Sequence, residues 1–129
     1  MSQEKTQVND VCRISKGTVV KVNSWVSDAD MRIDGQFYGN INTSGRVVIG
    51  EKGLLVGDVQ CSSLDIWGTF KGNVLCNGVT TIRGIGSFSG VTNTVRICIE
   101  VGALFEGTCK VITEEEFAKS ASKWNPSQL

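Results

Sequence analysis

Groups able to act as nucleophile, general base or metal ligand are few in this chain of 129 residues, which holds five cysteines and no histidine. Without a histidine, neither a Ser-His-Asp nor a Cys-His arrangement has its base. Cys12, Cys61, Cys76, Cys98 and Cys109 are scattered and form no Cys-x-x-Cys pair, so the usual zinc spacing is missing. Cys61 and Cys76 each stand two residues after a valine, Val59 and Val74. That equivalence places them on adjacent units of a repeat, where they read as small buried hydrophobes rather than a metal pair or a disulfide. Asp34, Glu51, Asp58, Asp65 and Glu100 alternate with apolar positions. They therefore point outward, whereas paired catalytic carboxylates must meet in a cleft. Gly84-Ile85-Gly86 opens no helix and is no dinucleotide fingerprint. No catalytic residue, metal set or cofactor site is expected.

The elements that would carry such groups follow from periodicity. A first ladder reads Val20-Val22-Ser24, Phe37-Gly39-Ile41, Leu55-Gly57-Val59, Phe70-Gly72-Val74, Phe88-Gly90-Thr92 and Phe105-Gly107-Cys109. Its leading residues are 17, 18, 15, 18 and 17 positions apart. A second ladder reads Met31-Ile33, Val47-Ile49, Leu64-Ile66, Thr80-Ile82 and Ile97-Ile99. Both alternate with period two, the mark of short strands with one face buried. A unit this short has no room for a crossover helix, and hairpins do not explain a single-file repeat. A coil does: each unit makes one turn, and equivalent strands pair in parallel about 4.8 Å apart. The chain therefore reads as an all-β parallel β-helix of about six turns. The glycine between the apolar positions either leaves room for a ring across a narrow core or marks a corner or bulge.

Residues 1–10 read as a flexible polar tail, 11–112 as the β-helix domain, and 113–129 as a short C-terminal helix or tail. The helix reading rests on Thr113-Glu114-Glu115-Glu116, a capping box, and on Phe117, Ala121 and Trp124 forming one stripe before Asn125-Pro126. Such a stripe would cover the open end of the coil or a partner's surface.

Charge is balanced, with 13 Lys+Arg against 13 Asp+Glu, which argues against a nucleic-acid surface. Fifteen glycines and one proline, with frequent β-branched residues, suit strands and turns. The polar start shows no signal peptide, and no apolar run is long enough to span a bilayer. A reducing cytosol with free thiols is expected. Tyr38 and Trp67 point outward by alternation and offer a partner surface.

The segment Ile49-Gly50-Glu51-Lys52-Gly53-Leu54 is similar to the hexapeptide repeat of left-handed β-helix acyltransferases. Those enzymes use a histidine base and a period that does not drift, so the likeness does not extend to activity. A more specific resemblance is carried by Met31-Arg-Ile-Asp-Gly-Gln-Phe-Tyr-Gly-Asn-Ile41, Val47-Val-Ile-Gly-Glu-Lys-Gly53, Leu55-Val-Gly-Asp-Val59 and the closing Gly102-Ala-Leu-Phe-Glu-Gly-Thr-Cys109. Over about residues 11–112 the chain resembles the bactofilins, bacterial cytoskeletal proteins. The resemblance implies a right-handed coil and nucleotide-free, end-to-end self-assembly into filaments. It also implies a place in the cytoplasm at the inner face of the cytoplasmic membrane. There the polymer would act as a scaffold for cell shape, with cell-wall enzymes or membrane-anchored proteins as partners. The chain departs from the family in Met1–Asp10, which lacks the apolar or basic membrane-binding start of many members, so direct membrane binding is not implied. An end-to-end contact would use the terminal turns, with Val20, Val22, Phe105 and Val111 as the expected polymer interface. The rival reading is a non-polymerising β-helix adaptor or binding module for a protein or a cell-wall glycan.

Overall fold

The computed structural model describes residues 11–123. The expectations for residues 1–10 and for Trp124, Asn125 and Pro126 lie outside the described residues. The first turn is β1 (Val11–Ile14) and β2 (Val19–Ser27), and the second is β3 (Asp30–Ile33) and β4 (Gln36–Thr43). The third is β5 (Arg46–Ile49), β6 (Leu54–Val56) and β7 (Val59–Cys61). β8 (Ser63–Ile66) opens the fourth, which continues into β9 (Thr69–Ile82). The end of β9 and the start of β10 (Ser87–Ile99) make the fifth turn. The end of β10 and β11 (Leu104–Val111) make the sixth, and α1 (Glu114–Lys123) follows. Every pairing among these strands is parallel, so the chain is a β-solenoid of about six turns.

Parallel register stacks equivalent side chains into several internal columns. One is all isoleucine: Ile14, Ile33, Ile49, Ile66, Ile82 and Ile99. The second is Val20, Phe37, Leu55, Phe70, Phe88 and Phe105. The third is Trp25, Ile41, Val59, Val74, Thr92 and Cys109. In the four middle turns the first two columns are fully buried. Each such side chain contributes about 1.5–3 kcal/mol of burial, and only with a neighbouring turn in place.

The third column corrects one equivalence expected from spacing. Trp25, not Ser24, pairs with Ile41, because the register slips between Lys21 and Ser24. Later turns place a glycine at that corner, with φ of +147° at Gly39, +144° at Gly57 and +142° at Gly72. Val22 does not adopt that conformation readily, so the first turn spends one more residue there as a bulge.

The same geometry decides between the two roles open to the glycine. A Cβ on Gly72 would lie 1.9 Å from the carbonyl oxygen of Gly57, one turn below. The glycine makes a corner where backbones touch, and it clears no space for a ring. The Asn or Asp after it completes the corner. Asn40 Oδ1 accepts from the Asp58 N–H at 3.0 Å, and Asp58 Oδ1 accepts from the Asn73 N–H at 3.1 Å. Side-chain oxygens thus satisfy backbone donors of the next turn, as buried or crowded amides require.

The helix expected after Thr113 is present, and both bonds of its capping box form. The Glu116 N–H donates to Thr113 Oγ1 and the Thr113 N–H to Glu116 Oε1, each at 3.1 Å. Its position differs from a cap on the coil's end: α1 packs on the flank against β9 and β10. Those strands carry Leu75, which points outward by register yet is only 5 % exposed. β11, by contrast, stays exposed over most of its length.

Replacing Thr113 by Ala is expected to cost α1 about 1 kcal/mol, read as loss of helical circular dichroism. The Thr113 N–H, more than its hydroxyl or Lys110 and Lys119, holds the Glu116 carboxyl below its ordinary value of 4.5. A depressed carboxyl stabilises above its unfolded value and loses that contribution as pH falls through the folded one. Acid below that ordinary value should therefore fray α1 before it affects the strands, and Glu116→Gln, which removes the titrating group, should blunt the pH response.

Candidate functional site

The candidate site is the pair of open ends. Among the described residues β1 pairs with β3 alone, β2 with β4 alone and β11 with β10 alone. One row of N–H and C=O groups on each of these strands is therefore free to pair.

Side chains at the ends repeat this incompleteness. The apolar residues that pack on the core while remaining half-exposed are Cys12, Val20, Val22 and Trp25 in the first turn, with Ala103 and Phe105 in the last. They occupy inward positions whose outer neighbour would be a further turn. Trp25 meets Phe37 edge-on, with ring centres 6.3 Å apart and planes at 79°. At the other end three rings form a stack. Phe70 and Phe88 lie 5.1–5.2 Å from their neighbours, with Phe88–Phe105 at 5.1 Å and 9° and Phe70–Phe88 at 5.2 Å and 1°. Phe105 ends this column with one ring face uncovered. Beside it, Leu104 is 52 % exposed and Val111 61 %. The four residues expected from the sequence thus lie at opposite ends, Val20 and Val22 at one and Phe105 and Val111 at the other.

A family model described as bactofilin, polymer-forming cytoskeletal, matches residues 12–110. The chain belongs to the bactofilin family. No curated protein and no solved structure matches it. The matched span takes in nearly all six turns of this bactofilin, including Cys12, Val20, Val22 and Phe105, and stops one residue short of Val111.

The flanks of this bactofilin hold the other residues singled out by sequence. Tyr38 is half-buried; its hydroxyl donates to Gln36 Oε1 at 2.9 Å and Lys21 Nζ lies 5.7 Å from its ring centre. Trp67 is 40 % exposed, and the Arg83 guanidinium sits 4.9 Å over its ring. The two belong to different faces and form no common patch. Asp65 departs from the outward, solvated reading of the acids, being 5 % exposed. Arg46 from the turn below and Arg83 from the turn above close over it, Arg83 at 3.7 Å. A charge needs such partners when buried. Repeat spacing shows which turn each residue occupies, but not how far long side chains fold over a neighbour.

Cys61 and Cys76 stack on adjacent turns as their spacing indicates. The thiol of Cys61 donates to Cys76, which lowers Cys76 to about 6 and pushes Cys61 well up. Both are buried among core side chains, and no base stands by, so acidity here gives no accessible nucleophile. Among the described residues no group of three or more Cys, Asp and Glu could hold a metal ion, and no helix is long and apolar enough to cross a membrane.

Proposed function

We propose that this chain is the subunit of a homopolymer that grows by contact between the open ends of coils and needs no nucleotide. The observation that carries the reading is the placement of the half-exposed core residues. Cys12, Val20, Val22 and Trp25 at one end, with Ala103 and Phe105 at the other, pack on the core and are left incompletely covered. A second copy set against either end supplies the missing neighbour to the side chains and the missing partner to the edge strand. Stability in a solenoid comes from nearest neighbours, so assembly extends the interaction that folds the chain. The filament then serves as a scaffold in the cytoplasm, at the inner face of the membrane, that places cell-wall machinery and so influences cell shape.

Purified protein is expected to form filaments by negative-stain microscopy. The same fraction should sediment with ATP, with GTP, and after treatment with a nucleotide-hydrolysing enzyme. A monodisperse monomer at about micromolar concentration in several salts would defeat the proposal. A sedimenting fraction that depends on nucleotide would defeat its nucleotide-free form.

A further inference from the structure

The outward corner of the coil runs Asp34, Gly50, Trp67, Arg83 and Glu100, one residue per turn, each N–H bonded to the turn below. Every member except Gly50 has a side chain. Arg83 occupies one side of the Trp67 indole, and toward Gly50 the Asp34 carboxylate, paired with Arg32, folds over the glycine where a side chain would stand. A cleft of about 250 Å³ lies there, lined by Arg32, Gly50, Glu51 and Trp67. Arg32 and Glu51 are shared with a second cleft of about 360 Å³, whose other walls include Arg13, Lys16, Asp34 and Lys52. The wall residues of this second cleft comprise four cations and two carboxylates, an excess of two positive charges.

We propose that these joined clefts bind an acidic saccharide, with a sugar ring on Trp67 and its carboxylate or phosphate among Arg13, Lys16 and Lys52. An indole face with adjacent hydrogen-bonding groups takes the apolar face of a pyranose, and few polar groups suffice to orient it. Glu51 accepts from ring hydroxyls. Arg32 gives its Nε to Asp34 at 3.0 Å and keeps other N–H groups for the ligand. A cationic peptide side chain would suit the indole but would meet repulsion from the four surrounding cations. Trp67 and Glu51 stand on the flank, while Arg13 and Lys16 belong to the first turn, so the site borders the end-to-end contact.

The test uses the full chain with Trp25→Phe and Trp124→Phe, which leaves Trp67 as the sole tryptophan. Trigalacturonic acid should change its emission saturably at millimolar concentration, with half-saturation at least about fivefold below that of neutral maltotriose. Lys16→Glu with Lys52→Glu should erase the preference for the acid sugar while leaving weak ring binding. Lack of saturable change with either sugar up to about 10 mM would overturn the proposal, as would an unaltered preference in the double variant or tighter binding of AMP than of the acid sugar.

Discussion

Phe105→Arg is expected to abolish filaments while leaving the coil folded. Phe105 is the last ring of the Phe70–Phe88–Phe105 stack and has one face open. In the free subunit an arginine there keeps its head in water and its stem along Phe88, so folding loses only part of one stacking contact, about 1 kcal/mol. In the polymer the same guanidinium would be enclosed between apolar end faces without a partner. Such burial costs several kcal/mol, and each 1.4 kcal/mol is tenfold in affinity, so the critical concentration should rise by about 100-fold or more. Analytical ultracentrifugation and microscopy should show monomers. Circular dichroism should keep the strand spectrum, with the melting temperature lowered by only a few degrees. The matching change in the middle of the column, Phe70→Arg, buries the charge inside the subunit itself and should prevent folding. If Phe105→Arg polymerises like the parent chain, the open ring face is not part of the contact.

Gly72→Ala is expected to be among the most damaging small substitutions on the surface of the coil, together with the other corner glycines. Its φ is +142°, and the new methyl would sit 1.9 Å from the Gly57 carbonyl oxygen. Neither atom is the end of a flexible side chain, so relief requires the two turns to part. The loss should be on the order of 3–4 kcal/mol, the range where strain and lost backbone pairing combine. Gly17 supplies the control. It also has positive φ, +88°, but nothing stands within 4 Å of the methyl that alanine would add. Gly17→Ala should therefore cost about 1–2 kcal/mol, the conformational part alone. Urea unfolding of both variants, made in the monomeric Phe105→Arg chain, separates the two contributions. Equal losses would mean that backbone contact between the corners adds nothing.

The coil was legible because its two strongest signals reinforce each other. The isoleucines from Ile33 to Ile99 and the leading residues from Phe37 to Phe105 recur at steps close to one turn, and each occupies the predicted register. The capping box was equally local, spanning Thr113 to Glu116, and both of its bonds form. Other features depended on contacts that spacing does not encode. Trp25 entered the core because Val22 cannot make a glycine corner, so one inserted residue moved the register by one. α1 went to the flank, against β9 and β10, through contacts between elements far apart in the sequence that its own stripe does not specify. Asp65 became buried only through the reach of arginines one turn away on either side. The candidate site was legible as residue types at the first and last repeats. Its incompleteness shows only when each inward side chain is seen with a neighbour on one side and none on the other.

The uniform parallel pairing has a consequence for fibre diffraction. In end-to-end filaments the strands lie across the long axis, and every turn advances by one strand spacing, about 4.8 Å. Aligned filaments should then give a meridional reflection at that spacing, the one also produced by amyloid. The bactofilin fibre would differ in having a second, longer axial repeat, about six turns if neighbouring copies point the same way and twice that if they alternate. Loss of the long repeat with retention of the short one would be the diffraction signature of misassembled cross-β material.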